Sequence, residues 1–428
     1  MRIQKRICCF VGFSLLLCLC FAQTPLLADG EEDFAEFIAA LEKLPKKEFT
    51  NILIEEVRDY LYRYPEAKDA DKMHLKIATI YSNKGDELRS FLTHMEILYL
   101  YPHSDVVTTA KDRLRSLIIR EKKFRPLKER IDTLLNPTAS DSTLEEATYA
   151  FIRDLYDLNF QPVAGLLTET CDRFLEHYPK SAHAESVLYW KAQLLARDKR
   201  PRKALAAFMK LTYLFKNGLY VTASKLKMAE LFTEKLDMHQ NAILTLEEFL
   251  LEHPDDPQAP QAQFRMAQIL EKKKKTYLEA INAYTAVAER YPKSLEAVPA
   301  LFDAARLYEE KFKEYDQAIR VYSQIVRDFP DDLKAPLALA EAARIYEKRL
   351  KDELNAANTY FKIYGSYPKS DIAAQSLFAA AEINEKKLND PEKALMYYRM
   401  VVDEYPESKV ASKASKRIEK LTKELGQE

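Results

Sequence analysis

Five prolines, Pro254, Pro292, Pro330, Pro368 and Pro406, stand 38 residues apart in this 428-residue chain. A strict period of that length marks a repeat architecture, in which one unit cannot bury its own apolar face and must stack on a neighbour. The same chemistry returns at fixed distances from each proline. Thirteen residues on stand Ala267, Ala305, Ala343 and Ala381, and twenty-six on stand Ala280, Ala318, Ala356 and Ala394. Thirty on come Tyr284, Tyr322, Tyr360 and Tyr398, and the next proline is preceded by Tyr291, Phe329, Tyr367 or Tyr405. Within one unit Ala297, Leu301, Ala305 and Tyr308 step by three or four, as do Ala318, Tyr322, Ile325 and Phe329 after the turn "KEYD". Each set lines one face of a helix. The period therefore predicts two amphipathic helices per unit, with small residues setting a close approach and aromatics filling the rest.

The recurring "YPKS" and its variants read as punctuation within this pattern. The aromatic plugs the core, and proline cannot continue a helix because it lacks the N–H and clashes with the preceding turn. The Ser or Asp two residues later (Ser104, Ser181, Asp256, Ser294, Asp332, Ser370 or Ser408) is expected to accept an amide at the next helix start. Upstream the pattern wears. Pro65 and Pro179 open recognisable units, Lys216 replaces one proline, and the stretch from Pro102 to Pro179 is longer and holds the loop-like "NPTASDST".

The order small, aromatic, small, aromatic, proline (Ala305, Tyr308, Ala318, Tyr322, Pro330) resembles the tetratricopeptide repeat, whose unit is a helix pair. This chain departs from it by about four extra residues per unit. Its longer form, "YPxSxxAxxA", resembles the repeats of bacterial envelope proteins of the outer-membrane assembly lipoprotein and Tol–Pal coordinator type. The resemblance implies an all-α, right-handed superhelical solenoid that binds other proteins without catalysis.

Composition agrees and narrows the function. Only 7 glycines argue against phosphate-cradling loops, and 65 basic against 66 acidic residues give no field to draw nucleic acid. Arg2, Lys5 and Arg6 precede an uncharged apolar run from Ile7 to Phe21, followed by Ala22, the pattern of a secretory signal peptide. That run is too short to span a bilayer as a helix. Four of the five cysteines lie in it, and Cys20 is a candidate for lipidation, although Leu19 stands where a small residue usually does. Cys171 is left alone at a helix-B aromatic position, so no disulfide framework is available and packing must supply stability. The expected layout is a signal peptide at 1–22, a linker at 23–30, and N-terminal helix pairs with a first repeat at 31–101. Irregular repeats with a loop near 136–143 fill 102–178, the regular array spans 179–405, and a capping helix covers 406–428.

No catalytic arrangement is legible, no cofactor or metal is expected, and the irregular stretch 110–165 offers no catalytic set. His177 and His183 flank one turn without the further ligands a metal needs. Lysines gather at the end of each first helix (Lys272–Lys275, Lys311, Lys313, Lys348, Lys351, Lys386, Lys387), where cations answer the helix dipole or form a basic rim for an acidic partner. Ten residues past the prolines stand Tyr189, Phe264, Phe302 and Phe378; four residues further on come Arg306 and Arg344 in their units. In the ordinary repeat these positions face the groove, where an aromatic stripe flanked by polar groups suits an extended or helical peptide. A longer first helix would instead rotate them into the core. The sequence thus points to an exported scaffold docking other envelope proteins or peptides, periplasmic and possibly tethered to the outer membrane. The alternative is a peptide- or glycan-binding module in cell-wall work. Nucleic acid is not an expected partner, and membrane association would come only through the signal or a lipid anchor.

Overall fold

The computed structural model describes residues 30–43, 49–137 and 143–426. The expected signal peptide, most of the linker, Cys20 and the centre of the loop near 136–143 lie outside the described residues. Every regular element that is described is helical, and 21 α-helices follow one another as packed pairs. The fold is an all-α solenoid of helix-turn-helix repeats. It divides into two compact units, Met1–Tyr220 and Val221–Glu428. The division falls just after Lys216, where the period loses its proline.

The first unit holds α1 (Glu31–Glu42), α2 (Phe49–Arg63), α3 (Ala70–Asn83), α4 (Glu87–Leu100), α5 (Val106–Arg120) and α6 (Ile131–Leu135). It continues with α7 (Leu144–Leu158), α8 (Ala164–His177), α9 (Ala184–Arg197) and α10 (Pro201–Leu214). Helix α4 is buried continuously from Ser90 to Tyr99, so it is enclosed rather than amphipathic. Phe91, Phe124, Phe151, Phe160 and Phe174 fill the core around it. The second helix of the next pair is largely replaced by a 3₁₀ stretch, Lys122–Arg130, that contains Pro126. This is why the period blurs there. Helix α8 also reaches back to α2, with His177 Nε2 bonded to the carbonyl of Tyr62 at 2.8 Å across 115 residues of sequence.

The second unit is regular: α11 (Val221–Glu234), α12 (His239–Glu252), α13 (Ala259–Ile269), α14 (Tyr277–Arg290), α15 (Ala297–Leu307) and α16 (Tyr315–Asp328). Then come α17 (Ala335–Ile345), α18 (Glu353–Ser366), α19 (Ala373–Lys386), α20 (Pro391–Glu404) and α21 (Ala411–Glu424). All eight periodic alanines, Ala267, Ala280, Ala305, Ala318, Ala343, Ala356, Ala381 and Ala394, are 0% exposed. A larger side chain at any of them would hold two helices apart.

Two details of the punctuation differ from expectation. The aromatics before the prolines (Tyr291, Phe329, Tyr367, Tyr405) are half-buried, not core plugs. The Ser or Asp caps a turn rather than a helix. In one unit the Ser294 amide donates to Tyr291 O at 3.0 Å and the Ala297 amide to Ser294 O at 3.4 Å, making two successive turns before α15 begins. Side chains at Ser104, Ser181, Asp256 and Asp332 accept the amide two residues on, at 2.8–3.2 Å. The Ser294, Ser370 and Ser408 hydroxyls have no such partner.

The lysine-rich helix ends are also built differently. Helices α13, α15 and α17 run into π-helical turns, Leu270–Lys274, Tyr308–Phe312 and Tyr346–Leu350. Each closes on a left-handed lysine, Lys275, Lys313 or Lys351. The amide after it (Thr276, Glu314, Asp352) then reaches back six residues to Leu270, Tyr308 or Tyr346 O at 3.0 Å. These bonds satisfy carbonyls that the helix end would otherwise leave open.

Candidate functional site

Helices α13, α15 and α19 present Phe264, Phe302 and Phe378 at one register, and all three are half-buried. Each ring leans on the tyrosine of the following helix: Phe264 on Tyr284, Phe302 on Tyr322 and Phe378 on Tyr398, with centroids 5.6, 5.4 and 5.3 Å apart. The interplanar angle of 66° makes the Phe302–Tyr322 pair edge-to-face, and the other two pairs are tilted, at 57° and 58°. Between Phe302 and Phe378 helix α17 interrupts the stripe with Ala340, and the tyrosine of the following helix shows the consequence. Tyr360 is half-buried, whereas Tyr284, Tyr322 and Tyr398 are buried. The phenylalanine thus serves as the outer layer of a two-ring stack.

Beside the rings runs a ladder of charge that ties consecutive units together. Tyr284 donates its hydroxyl to Glu271 at 2.8 Å, and Glu271 also accepts from Arg306 of the next unit at 2.7 Å. Arg306 further donates to Asp303 at 2.9 Å. One unit on, Glu309 takes Arg344 at 2.5 Å and Arg349 at 3.1 Å, while Arg344 also holds Glu341 at 2.6 Å. Near the C-terminus Glu385 accepts from Tyr398 at 2.9 Å and from Arg417 of α21 at 3.0 Å. Burial alone would raise the Glu309 carboxyl, but its bonds to Arg344 and Arg349 outweigh that and hold it below the ordinary range. Burial pushes the Tyr284 hydroxyl up, and its bond to Glu271 pushes it further. At the third rung, Glu347, the pattern fails, because Glu382 stands where Arg306 and Arg344 stand in their units. Among the described residues Glu347 keeps a long contact of 3.5 Å from Tyr360 and an ion pair with its neighbour Lys348.

Arg306 lies on the phenylalanine-bearing α15 and Arg344 on α17, which has Ala340 in place of the phenylalanine, and each is committed to carboxylates of its own chain. Tyr189, in the first unit, stacks on Tyr220 at 4.5 Å and meets the edge of Phe208 at 5.9 Å. Its hydroxyl accepts from Gln193 at 2.9 Å. The sequence reading missed the ladder itself, although its signal is visible: Glu271, Glu309, Glu347 and Glu385 each stand seventeen residues after a proline.

The remaining candidates are bonded within the chain or buried. His177 is bonded to the Arg173 and Tyr62 carbonyls, while His183 stacks on Tyr149 at 3.7 Å and reaches Glu146 at 3.2 Å. Among the described residues no group of three His, Cys, Asp or Glu side chains is placed to hold a metal ion. Cys171 is 0% exposed, and burial pushes its thiol up to about 12, which leaves it unreactive.

Four segments, 223–256, 261–294, 299–332 and 375–408, match the tetratricopeptide repeat. The intervening 337–370 folds as the same helix pair, α17 and α18. A comparison by sequence with curated proteins found no match. Among solved structures, the chain is similar to a tetratricopeptide repeat protein from Parabacteroides merdae, at 15% identity over 63% of this chain and 98% of that one, with a TM-score of 0.34. It is also similar to the C-terminal part of a TPR repeat-containing protein from Cytophaga hutchinsonii, at 14% identity over 62% and 98%, with a TM-score of 0.39. Pseudomonas aeruginosa PilF matches at 14% identity over 54% and 98%, with a TM-score of 0.34.

Proposed function

We propose that this tetratricopeptide-repeat protein works as an exported docking scaffold of the bacterial cell envelope, periplasmic or tethered to the outer membrane. Its working surface is the aromatic stripe of the second unit. Stacked helix pairs offer binding by area and shape, and protein partners are what such repeats suggest. The observation that carries the reading is the half-burial of Phe264 and Phe302, each propped from behind by a buried tyrosine. A ring held rigidly with one side still open loses little entropy when a partner covers it. Since Arg306 and Arg344 are neutralised by their own neighbours, the partner is read by its apolar side chains more than by its charge. The apolar run at 7–21 supports export, and the resemblance to envelope repeats supports the compartment.

The test is in-cell photo-crosslinking from position 302, with Arg320, an exposed residue of α16, as control. Capture of one protein from position 302 and not from 320 is the expected result. Crosslinks from 302 that run only to the chain's own α16 would mean that the stripe is interior and would sink the reading. Capture of a glycan strand would replace the protein partner with a cell-wall one.

A further inference from the structure

From Lys199 to Tyr220 the sequence has six basic residues, Lys199, Arg200, Arg202, Lys203, Lys210 and Lys216, and no Asp or Glu. Arg200 is paired with Asp198 at 2.7 Å. The other five are exposed and, among the described residues, have no carboxylate partner. Large apolar side chains stand between them: Met209 is 51% exposed, Tyr213 76%, Leu214 54% and Leu219 80%.

Helix α10 arranges these by its own geometry. Ala204, Ala207, Phe208 and Leu211 face the core. Arg202, Ala206, Met209 and Tyr213 follow one another at steps of four, three and four along the outer side, with Lys203, Lys210 and Leu214 beside them, all exposed. The helix is thus apolar inside and mixed apolar and basic outside, over a length of about 21 Å.

We infer that the outer face of α10 and the turn to Leu219 bind a lipid surface carrying anionic headgroups. Asp172 and Asp198 border the same groove as Lys203 and Lys210 but are already paired with Lys191 and Arg200, and Glu169 and Asp86 with Arg58 and Arg89. The two lysines therefore leave an excess of positive charge that fits a negative surface. The shape decides which kind. Anchors for a protein partner sit in packed, desolvated clusters that exclude water around them. Here Tyr213 and Leu219 protrude, with flexible lysine stems around them. Protruding Tyr, Leu and Met can enter the headgroup boundary while lysines extend to the phosphates, as on an interfacial helix. Membrane contact would then not require the leader or a lipid anchor, contrary to what the sequence alone suggests. The surface is independent of the stripe on the second unit, so either can stand without the other.

Vesicle co-sedimentation of the full chain tests this. The expected result is stronger binding to phosphatidylcholine mixed with phosphatidylglycerol than to phosphatidylcholine alone, weakening as salt rises. Each lysine near such a surface strengthens binding about fivefold, so the double variant Lys203→Gln with Lys210→Gln should bind about 30-fold more weakly. A second variant, Tyr213→Ser with Leu219→Ser, should also bind less. All four side chains are exposed, so circular dichroism melts of both variants should match the parent. Equal binding to both vesicle types, or undiminished binding by both variants, would overturn the proposal. So would capture of an acidic polypeptide by the lysines with no affinity for vesicles, which would make the face a protein surface.

Discussion

Lys275, Lys313 and Lys351 carry φ values of 58°, 58° and 57°, a left-handed conformation that costs a residue with a Cβ about 1 kcal/mol. The position is the twenty-first after each proline, and the next unit has Asn389 there at φ 55°, the preceding one Asp237 at φ 57°. Gly85 marks the matching corner of the first repeat at φ 72°. Replacing Lys313 with Gly should therefore stabilise the second unit, by about 0.5–1 kcal/mol after allowing for the greater freedom glycine brings to the unfolded chain. A urea melt checks it, and a lower midpoint would mean that the lysine stem contributes packing worth more than the strain. The corner was only half legible in the sequence. A lysine says nothing of left-handed geometry, and a run of lysines at a helix end reads as an answer to the dipole. Only lining up Asp237 and Asn389 with the lysines, and noting Gly85 one residue off that column, gives the corner away. The alanines were fully legible by contrast, because a closely packed helix pair has no other use for a strictly periodic small residue.

The π-turn after α15 places Glu309, 4% exposed, between Arg344 and Arg349 of the next helix pair. A carboxylate so placed depends on its partners, while the arginines, 35% and 45% exposed, can turn to water. The two sides of the pair should therefore respond unequally. Arg344→Ala leaves a buried charge with Arg349 as its remaining partner and should cost about 2 kcal/mol. Glu309→Leu removes the buried charge and should cost less than that. A double-mutant cycle by urea denaturation measures the coupling, and equal costs for the two single variants would refute the asymmetry. The same interaction explains a limit of the sequence reading. Arg306 and Arg344 were found as groove-facing candidates because spacing assigns a residue to a helix face. Whether a long side chain then reaches solvent or a carboxylate one unit away depends on helix rotation and on the π-turn. Neither is written in the period. Helix α4 shows the opposite failure, since ten consecutive buried residues erase the very periodicity from which a helix face is read.

The two compact units should part company as the pH falls. In the first unit His94 sits on α4 with Nδ1 on the Ser90 carbonyl at 2.7 Å and Nε2 unbonded, while His74 on α3 touches the Ala70 carbonyl and the Tyr101 hydroxyl at 3.1 and 3.2 Å. Burial pulls both rings below the ordinary 6.5, and the cations nearby, Arg113 for His94 and Arg173 for His74, act in the same direction. The Ser90 bond opposes this at His94, as do Glu96, the Ala70 bond and Asp71 at His74, without overcoming it. The unfolded chain takes up these protons near 6.5 and the folded one refuses them. Stability from the neutral rings is thus complete above 6.5 and is lost as the pH drops below it, by at most about 1.4 kcal/mol per pH unit for each ring. In the second unit the lowered groups are Glu252 and Glu309, whose contribution is intact until the pH falls below about 4.5. Between these values the first unit should loosen while the second holds. Hydrogen exchange, corrected for its intrinsic pH dependence, reads this directly by comparing peptides from 87–100 and 315–328 at about pH 7 and about pH 5. Protection should fall in the first peptide only, and less in a His94→Gln variant, which has lower stability at neutral pH but one proton fewer to refuse. Parallel loss in both peptides would mean that the units unfold as one, and the histidines would then report on the entire chain.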